Sequence, residues 1–407
     1  MLGIQLIASG FVVIPLATQA WLARRWMNRS VLEPDPLPTT GLPGLCVVLP
    51  VWNEAEVIEG KLDDIAAQDY PRDKLDLILI DSASTDETIM RAERWLDAHP
   101  DVFPPERLKI IRMRVRLGKS AAINRAIGFA PEDANVFLMT DADARLDQGA
   151  FERVGRWIAM PDIGAVCGRG TPFEAAGREN ERAYRNWFDH LRQAESRRDS
   201  TTVMEGSLAG YDLDMIRDHR IREDSNADDT QLGFIARQSG GRAIFDSTLR
   251  FREHTPTDGP EATRRKTRRA QGLIRHLWRT RSHWFRPRHG AWGVILGLNG
   301  LTHVIAPWAV TIGFAAGILH ITGIVTDPVG ILAASWLDRA MLLTDASVLM
   351  LMGLGLLRIP FGPARLVWAY FTHMGMVLKA QCMLLGGNSL HMWDQTRETR
   401  EGFDRGS

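Results

Sequence analysis

Cysteine is scarce in this chain, with three among 407 residues: Cys46, Cys167 and Cys382. They lie far apart, match no metal-ligand spacing and build no disulfide framework, so they fit a reducing compartment as small apolar core residues. Net charge is missing too, 49 basic side chains against 49 acidic, which excludes a protein whose whole surface binds polyanions. Two nucleotide fingerprints are absent. Gly118-Lys119-Ser120 has the tail of a P-loop, but that motif needs glycine five residues earlier and position 113 is Met. No Gly-x-Gly-x-x-Gly follows the first apolar run after residue 45, which counts against a dinucleotide-dependent oxidoreductase.

Charge is also absent from long stretches, although the mean hydropathy of -0.14 averages them away. Residues 2–23 hold no charged side chain, enough to cross a hydrocarbon core that takes about 20 residues. Arg24, Arg25 and Arg29 follow this run instead of preceding it, the order of a membrane anchor and not of a signal peptide. By the positive-inside tendency the amino terminus is outside and the following chain cytoplasmic. Residues 291–326 are again free of Asp, Glu, Lys and Arg. That is long for one perpendicular helix and short for two with a loop. An interfacial piece up to about Pro307, then a spanning helix, is the expected division. Residues 341–357 contain Asp345 and residues 366–385 contain Lys379, so both runs are expected to pack against protein more than lipid. The link 358–365 is basic and turn-rich, hence cytoplasmic. The expected location is a bacterial-type inner or plasma membrane, with the number of spans and the side of the carboxyl terminus open.

A proline-rich connector, residues 34–43, opens a block of different character. Residues 45–49, 75–80, 108–111, 136–139 and 163–167 read as strands, and 54–67, 85–98 and 119–130 as amphipathic helices. The alternation predicts βαβ units and a mostly parallel sheet, whose ligands bind beyond the carboxyl ends of the strands. Three of those ends are polar. Pro50-Val51-Trp52-Asn53-Glu54 follows the first strand, Asp81-Ser82-Ala83-Ser84-Thr85-Asp86 the second, and Asp141-Ala142-Asp143 the fourth. Ser84 or Thr85 is expected to cap the next helix, which leaves Asp81 to accept a hydrogen bond from a nucleobase. Two carboxylates two residues apart at a strand exit suit Mg²⁺ or Mn²⁺, hard ions that reach proteins through one or two carboxylates plus substrate phosphates. Lys119 opens a helix whose amino end favours anions. Together these features point to a nucleotide diphosphate.

In order, Pro-Val-Trp-Asn-Glu, Asp-Ser-Ala-Ser-Thr-Asp, Gly-Lys-Ser-Ala-Ala-Ile-Asn, Asp-Ala-Asp and Asn-Ala-Asp-Asp-Thr-Gln-Leu resemble the motifs of the membrane-bound inverting glycosyltransferases of family 2. That superfamily includes cellulose, chitin and hyaluronan synthases. The resemblance covers about residues 45–280; each motif is loose, and the five in sequence are specific. It implies a GT-A fold, an α/β nucleotide-sugar-binding sandwich with a DxD metal site, and a nucleotide-sugar donor, expected to be a UDP-sugar. It implies that Glu54, Asp81 and Lys119 line the nucleotide pocket. Asp141 and Asp143 become the DxD pair, with Asp143 the direct ligand of Mg²⁺ or Mn²⁺, which acts as a Lewis acid on the departing diphosphate. Glu205-Gly206-Ser207-Leu208-Ala209-Gly210 resembles the small-residue loop beside the acceptor, where Gly206 allows close backbone approach; an ordinary turn is the alternative. The catalytic base is expected at Asp229, with Asp228 beside it in the substrate site, because Leu232, Arg237, Gly240 and Gly241 follow in the family's pattern. Glu223 and Asp224 lack such a helix and are expected in a solvated turn. Asp229 would take the acceptor hydroxyl's proton as it attacks the anomeric carbon.

Residues 264–288 hold ten Lys or Arg and no acid, with Trp278, Trp284 and Phe285 interleaved. Next to the uncharged run 291–326, this reads as a helix on membrane lipids and not as a nucleic-acid site. Polymer-forming relatives carry Gln-x-x-Arg-Trp here. The chain has Arg265-Lys266-Thr267-Arg268-Arg269, which keeps Arg268 for the diphosphate and puts Arg269 where an aromatic would hold the acceptor sugar. Trp393-Asp394-Gln395-Thr396-Arg397 faintly resembles a Trp-x-Lys-Thr segment of the same synthases. The expected organisation is a transmembrane helix in 1–30, a cytoplasmic GT-A domain in 31–260, a basic interfacial segment in 261–303, a transmembrane region in 304–390 and a polar tail in 391–407. The expected activity is transfer of one sugar, or a few, to a lipid-linked or saccharide acceptor. A processive polysaccharide synthase and a catalytically silent sugar-nucleotide sensor are the alternatives.

Overall fold

Residues 45–51, 75–81 and 136–140 are mostly apolar and buried at every position, as strands covered on both faces by helices must be. The computed structural model describes residues 1–173, 179–253, 259–326, 334–390 and 392. In it β1 (Leu45–Val51), β2 (Leu75–Asp81) and β4 (Val136–Thr140) run parallel with β1 in the middle, and β3 (Leu108–Arg112) flanks β2. With β5 (Ala144–Leu146), β6 (Ile163–Pro172), β7 (Leu208–Asp212) and β8 (Arg242–Glu253) they form one sheet in the order β3-β2-β1-β4-β7-β6-β8-β5. β7 runs antiparallel to β4 and β6, while β6 and β8 are parallel. The sheet is mostly parallel, as expected.

Side-chain alternation along the strands divides the core into two layers. Leu45, Val47 and Leu49 pack with α2 (Ile58–Ala66), α3 (Thr88–Ala98) and α5 (Ala150–Ile158). Cys46, Val48, Phe137 and Met139 pack with α4 (Lys119–Ile127), α7 (Leu213–Ile216) and α8 (Asp228–Gln238) on the other face. Two helix starts fall later than the spacing predicts, Ile58 instead of 54 and Thr88 instead of 85. Ser84 and Thr85 therefore cap nothing. The first turn of α3 is served by Asp86, whose Oδ1 accepts from Thr88 N at 3.0 Å. Strands also run further than expected: Asp81 is the last residue of β2 instead of following it. α9 (Pro260–Arg279) joins the α/β unit as far as His276.

The second unit is helical. It contains α1 (Leu2–Met27), the first part of α6 (Glu179–Arg198), α10 (Gly290–Gly300), α11 (Ala306–Thr326), α12 (Trp336–Leu356) and α13 (Gly362–Leu385). A π-helical turn, Leu301–Ile305, joins α10 to α11, so the helix continues through Pro307 without a break. Pro307 has no N–H for the carbonyl of His303 four residues back. Gln381 of α13 supplies the missing donor: its Nε2 donates to His303 O at 3.0 Å and to Val304 O at 3.2 Å. Gln5 of α1 donates to Asp345 Oδ2 at 2.7 Å, which settles the one acid expected inside residues 341–357. Among the described residues three helices are long and apolar enough to cross a membrane: Leu2–Met27, Pro287–Ile324 and Trp336–Leu356. The segment 393–397 lies outside the described residues.

Candidate active site

β4 hands the chain directly to Asp141-Ala142-Asp143, and β5 begins at Ala144. Both sides of this acidic turn are anchored. Thr140 Oγ1 donates to Ser207 O at 2.8 Å, and Ser207 Oγ donates to Asp141 Oδ2 at 2.9 Å, which stitches the turn to the loop before β7. Downstream, the fully buried Lys61 pairs with Asp64 at 2.9 Å and donates to Ala144 O at 2.9 Å. Asp64 in turn accepts from Leu146 N at 3.0 Å. Burial pulls the Lys61 amine below its ordinary value, with Asp64 opposing.

Lys119 opens α4 directly after Gly118, whose φ of 92° belongs to the left-handed region that favours glycine. Its ammonium lies between two carboxylates, 2.5 Å from Asp141 Oδ1 and 3.6 Å from Asp228 Oδ2. Burial works against the charge of Lys119, yet Asp141 and Asp228 together hold it above its ordinary value. Burial likewise opposes ionisation of Asp141, but Lys119 and the Ser207 hydroxyl keep that carboxyl below its usual range.

Asp228 and Asp229 form the first turn of α8, where the helix dipole favours acids. Asp229 Oδ1 accepts from Thr230 N at 2.6 Å, and Tyr211 of β7 donates to the Asp229 carbonyl at 3.1 Å. Burial, and then the neighbouring charge of Asp228, push the Asp229 carboxyl up to about 7. Gly206 lies against it: a Cβ there would stand 3.3 Å from Asp229 Oδ2 and 2.9 Å from Met139 Cε. Close approach therefore requires glycine at this position. Glu223 and Asp224 are exposed, as expected, with Glu223 accepting from Asn124 Nδ2 at 3.0 Å.

The loops after β1 and β2 brace each other. Ser84 Oγ accepts from Asn53 N at 2.8 Å, and Asn53 Oδ1 accepts from Thr85 N at 2.7 Å. The buried Asp81 accepts from Ser84 N at 3.0 Å, so its carboxylate also shapes its own turn. Glu54 is buried, and its amide donates to Thr88 Oγ1 at 2.6 Å. On α9, Glu253 of β8 accepts from Arg265 Nη2 at 2.7 Å and pairs with Arg269 at 3.4 Å. Arg269, expected as a plain replacement of an aromatic, is thus fixed by a buried acid, and its charge is felt at Asp141 and Asp229. The Arg268 carbonyl accepts from Asn226 Nδ2 at 2.7 Å. Its half-buried guanidinium makes no ion pair among the described residues.

Lys119, Asp141, Asp228, Asp229 and Gly206 are brought together; Glu54 and Asp81 belong to the mutually braced loops. Spacing alone did not single out Ser207, Tyr211, Lys61, Asp64 or Glu253. Among the described residues no group of three or more His, Cys, Asp or Glu side chains could hold a metal ion alone. The Asp141–Asp143 turn nevertheless fits a hard cation that takes its remaining ligands from a diphosphate.

A family model described as Glycosyl transferase family 2 matches residues 46–220, and one described as Glycosyl transferase family group 2 matches residues 136–378. Beta-monoglucosyldiacylglycerol synthase of Synechocystis is 28% identical over 151 residues, 35% of this chain and 30% of that protein. Poly-beta-1,6-N-acetyl-D-glucosamine synthase of Staphylococcus aureus is 29% identical over 145 residues, 35% of this chain and 32% of its own length. The chain thus spans about a third of these curated relatives. The solved mannosyltransferase PcManGT of Pyrobaculum calidifontis, in complex with GDP-Man and Mn²⁺, is 28% identical with a TM-score of 0.75, over 96% of this chain and 100% of that one.

Proposed function

We propose, since the chain belongs to the family 2 glycosyltransferases, that it moves a sugar from a nucleotide sugar onto a lipid-linked or saccharide acceptor at the membrane, with inversion. The glycosyltransferase class and the GT-A-like α/β fold come from the family matches and the likeness to PcManGT; donor, acceptor and metal form the proposal. One observation carries it. Lys119, Asp141, Asp228 and Asp229 converge at the end of β4, while the Arg268 guanidinium, without an ion pair among the described residues, lies within electrostatic reach of Asp141 and Asp228. An anion with its own counter-cation completes such a set.

In this reading Asp229 accepts the proton of the acceptor hydroxyl as it attacks the anomeric carbon, and a carboxyl near 7 is well matched to that task. Charge builds on the departing nucleoside diphosphate, where Arg268 stabilises it, with Lys119 adding positive charge near the nucleotide from beside Asp228. Asp143, with Asp141, would hold Mg²⁺ or Mn²⁺, which supplies Lewis-acid stabilisation of the leaving group. Glu54 and Asp81 bound the nucleoside, and Gly206 lets the acceptor approach Asp229. Uridine is the base expected from the sequence. Guanosine is the competing reading, because the relative aligned over almost the whole chain holds GDP-Man.

The acceptor is expected to be lipid-anchored. Arg269 offers a phosphate a charge-assisted contact where polymer-forming relatives have an aromatic. The α/β unit is assigned to the cytoplasmic side of an integral membrane protein. The test uses membranes carrying the full chain and a panel of labelled UDP- and GDP-sugars. Label should become lipid-extractable in short products, and EDTA or Asp143→Ala should abolish it. A high-mass, glycosidase-sensitive product points to the processive synthase, and no transfer from any donor to the silent sensor.

A further inference from the structure

Asp141 has both carboxylate oxygens in use: Oδ1 takes Lys119 at 2.5 Å and Oδ2 takes Ser207 Oγ at 2.9 Å. Asp228 is in the opposite condition. It is 4% exposed, and its Oδ2 has no hydrogen-bond partner among the described residues. The nearest cation to that oxygen is the same Lys119 ammonium, 3.6 Å away. A buried acceptor left without a hydrogen bond calls for an explanation, and one ammonium serving the half-buried Asp141 and the buried Asp228 unequally suggests a second resting place.

We infer that Lys119 is a resident counter-ion of the acidic turn, and that Asp228 is the positioning residue that receives it when a divalent cation takes up Asp141. The inference rests on the metal-dependent reading above. The displacement is small, because the ammonium already stands within ion-pair distance of both partners. Without nucleotide, a cation arriving at Asp141 competes with Lys119 and gains few ligands, since no cluster of three or more metal-binding side chains exists among the described residues. With a diphosphate present, phosphate oxygens complete its coordination, and Lys119 transfers to Asp228. Cation and donor then bind as a unit, and the empty protein keeps one cation, Lys119, at the acidic turn without metal.

The probe is Mn²⁺, followed by its electron paramagnetic resonance on the purified full chain in detergent, with and without saturating UDP or GDP. The wild type should bind Mn²⁺ at least about tenfold more tightly with whichever nucleotide it recognises. Lys119→Met removes the competitor. Mn²⁺ should then bind about tenfold more tightly without nucleotide, and the nucleotide effect should shrink. Asp228→Asn removes the second resting place while keeping the side-chain shape, so Mn²⁺ should bind about tenfold more weakly with nucleotide present. Lys119→Gln serves as the milder variant if Lys119→Met does not fold. Unchanged Mn²⁺ affinity without nucleotide in the Lys119 variants, or wild-type affinity in Asp228→Asn, overturns the exchange. Failure of the wild type to bind Mn²⁺ with either nucleotide overturns the metal-dependent reading instead.

Discussion

Asp229 is the residue on which chemistry and environment meet most directly. As the proposed base it must be ionised, and its carboxyl is pushed up to about 7 because burial and Asp228 penalise the charged form. The kcat/KM for transfer should therefore rise about tenfold per pH unit below 7 and level off above it. The linked stability has the opposite sign. The folded-state value lies above the ordinary 3.8, so the native protein holds this proton more tightly than the unfolded chain. This group's contribution is full below about pH 4 and fades as pH rises through 7. Asp229→Asn should cost on the order of 10²–10⁴-fold in transfer while leaving nucleotide-sugar binding near the wild-type value. Equal loss of donor binding, measured by calorimetry, would move Asp229 out of the base role. Gly206→Ala tests the packing that holds this carboxylate. The added methyl would stand 3.3 Å from Asp229 Oδ2 and 2.9 Å from Met139 Cε, and only the methionine end can give way cheaply. A drop in kcat on the order of 10²-fold with an unchanged melting temperature is expected, and a wild-type kcat would show that the loop has slack.

At the scale of elements, legibility followed the physics of burial. β1, β2 and β4 were readable because parallel strands covered on both faces must be continuously apolar. β8 was not, because Asp246, Arg250 and Arg252 interrupt it and its partners β6 and β5 are remote in sequence. The site divided the same way. Asp141, Asp143, Asp229 and Lys119 stand at strand exits or helix starts, where a chain position predicts a function. The contacts of Lys61 and Asp64 with β5 and the Glu253–Arg269 pair join residues whose meeting depends on tertiary structure. Pro307 shows the limit from the other direction: proline predicted a boundary, and a glutamine 74 positions later supplied the donor that keeps the helix going. Gln381→Leu should therefore leave the His303 and Val304 carbonyls without that donor, at about 1–2 kcal/mol. The melting temperature in detergent should fall by several degrees with little change in donor affinity. Pro307→Ala in the same background restores the backbone N–H and should recover part of the loss; no recovery would mean that Gln381 stabilises by packing instead.

For the whole molecule, the course of the chain after α13 constrains the membrane topology. Gly387 turns the chain with φ of 78°. Leu390 N then donates to Gln271 Oε1 of α9 at 2.8 Å, and Arg275 donates to Ser389. The described residues from Ser389 onward thus belong to the α/β unit. If α1 carries the chain from outside to the cytoplasm, as Arg24, Arg25 and Arg29 behind it favour, the α/β unit is cytoplasmic. The end of α13 must then be cytoplasmic as well. A return to the starting side needs an even number of crossings after the α/β unit, yet α10–α11, α12 and α13 are three long helical runs. On that premise one of them does not make a complete crossing, and the carboxyl end is expected on the cytoplasmic side. In a bacterial host, a fluorescent protein that matures only in the cytoplasm should be bright when fused to the carboxyl terminus, and alkaline phosphatase at the same place should be inactive. An active phosphatase fusion would require the tail to leave α9, and so would detach Gln271 and Arg275 from the contacts that hold Ser389 and Leu390 on the α/β unit.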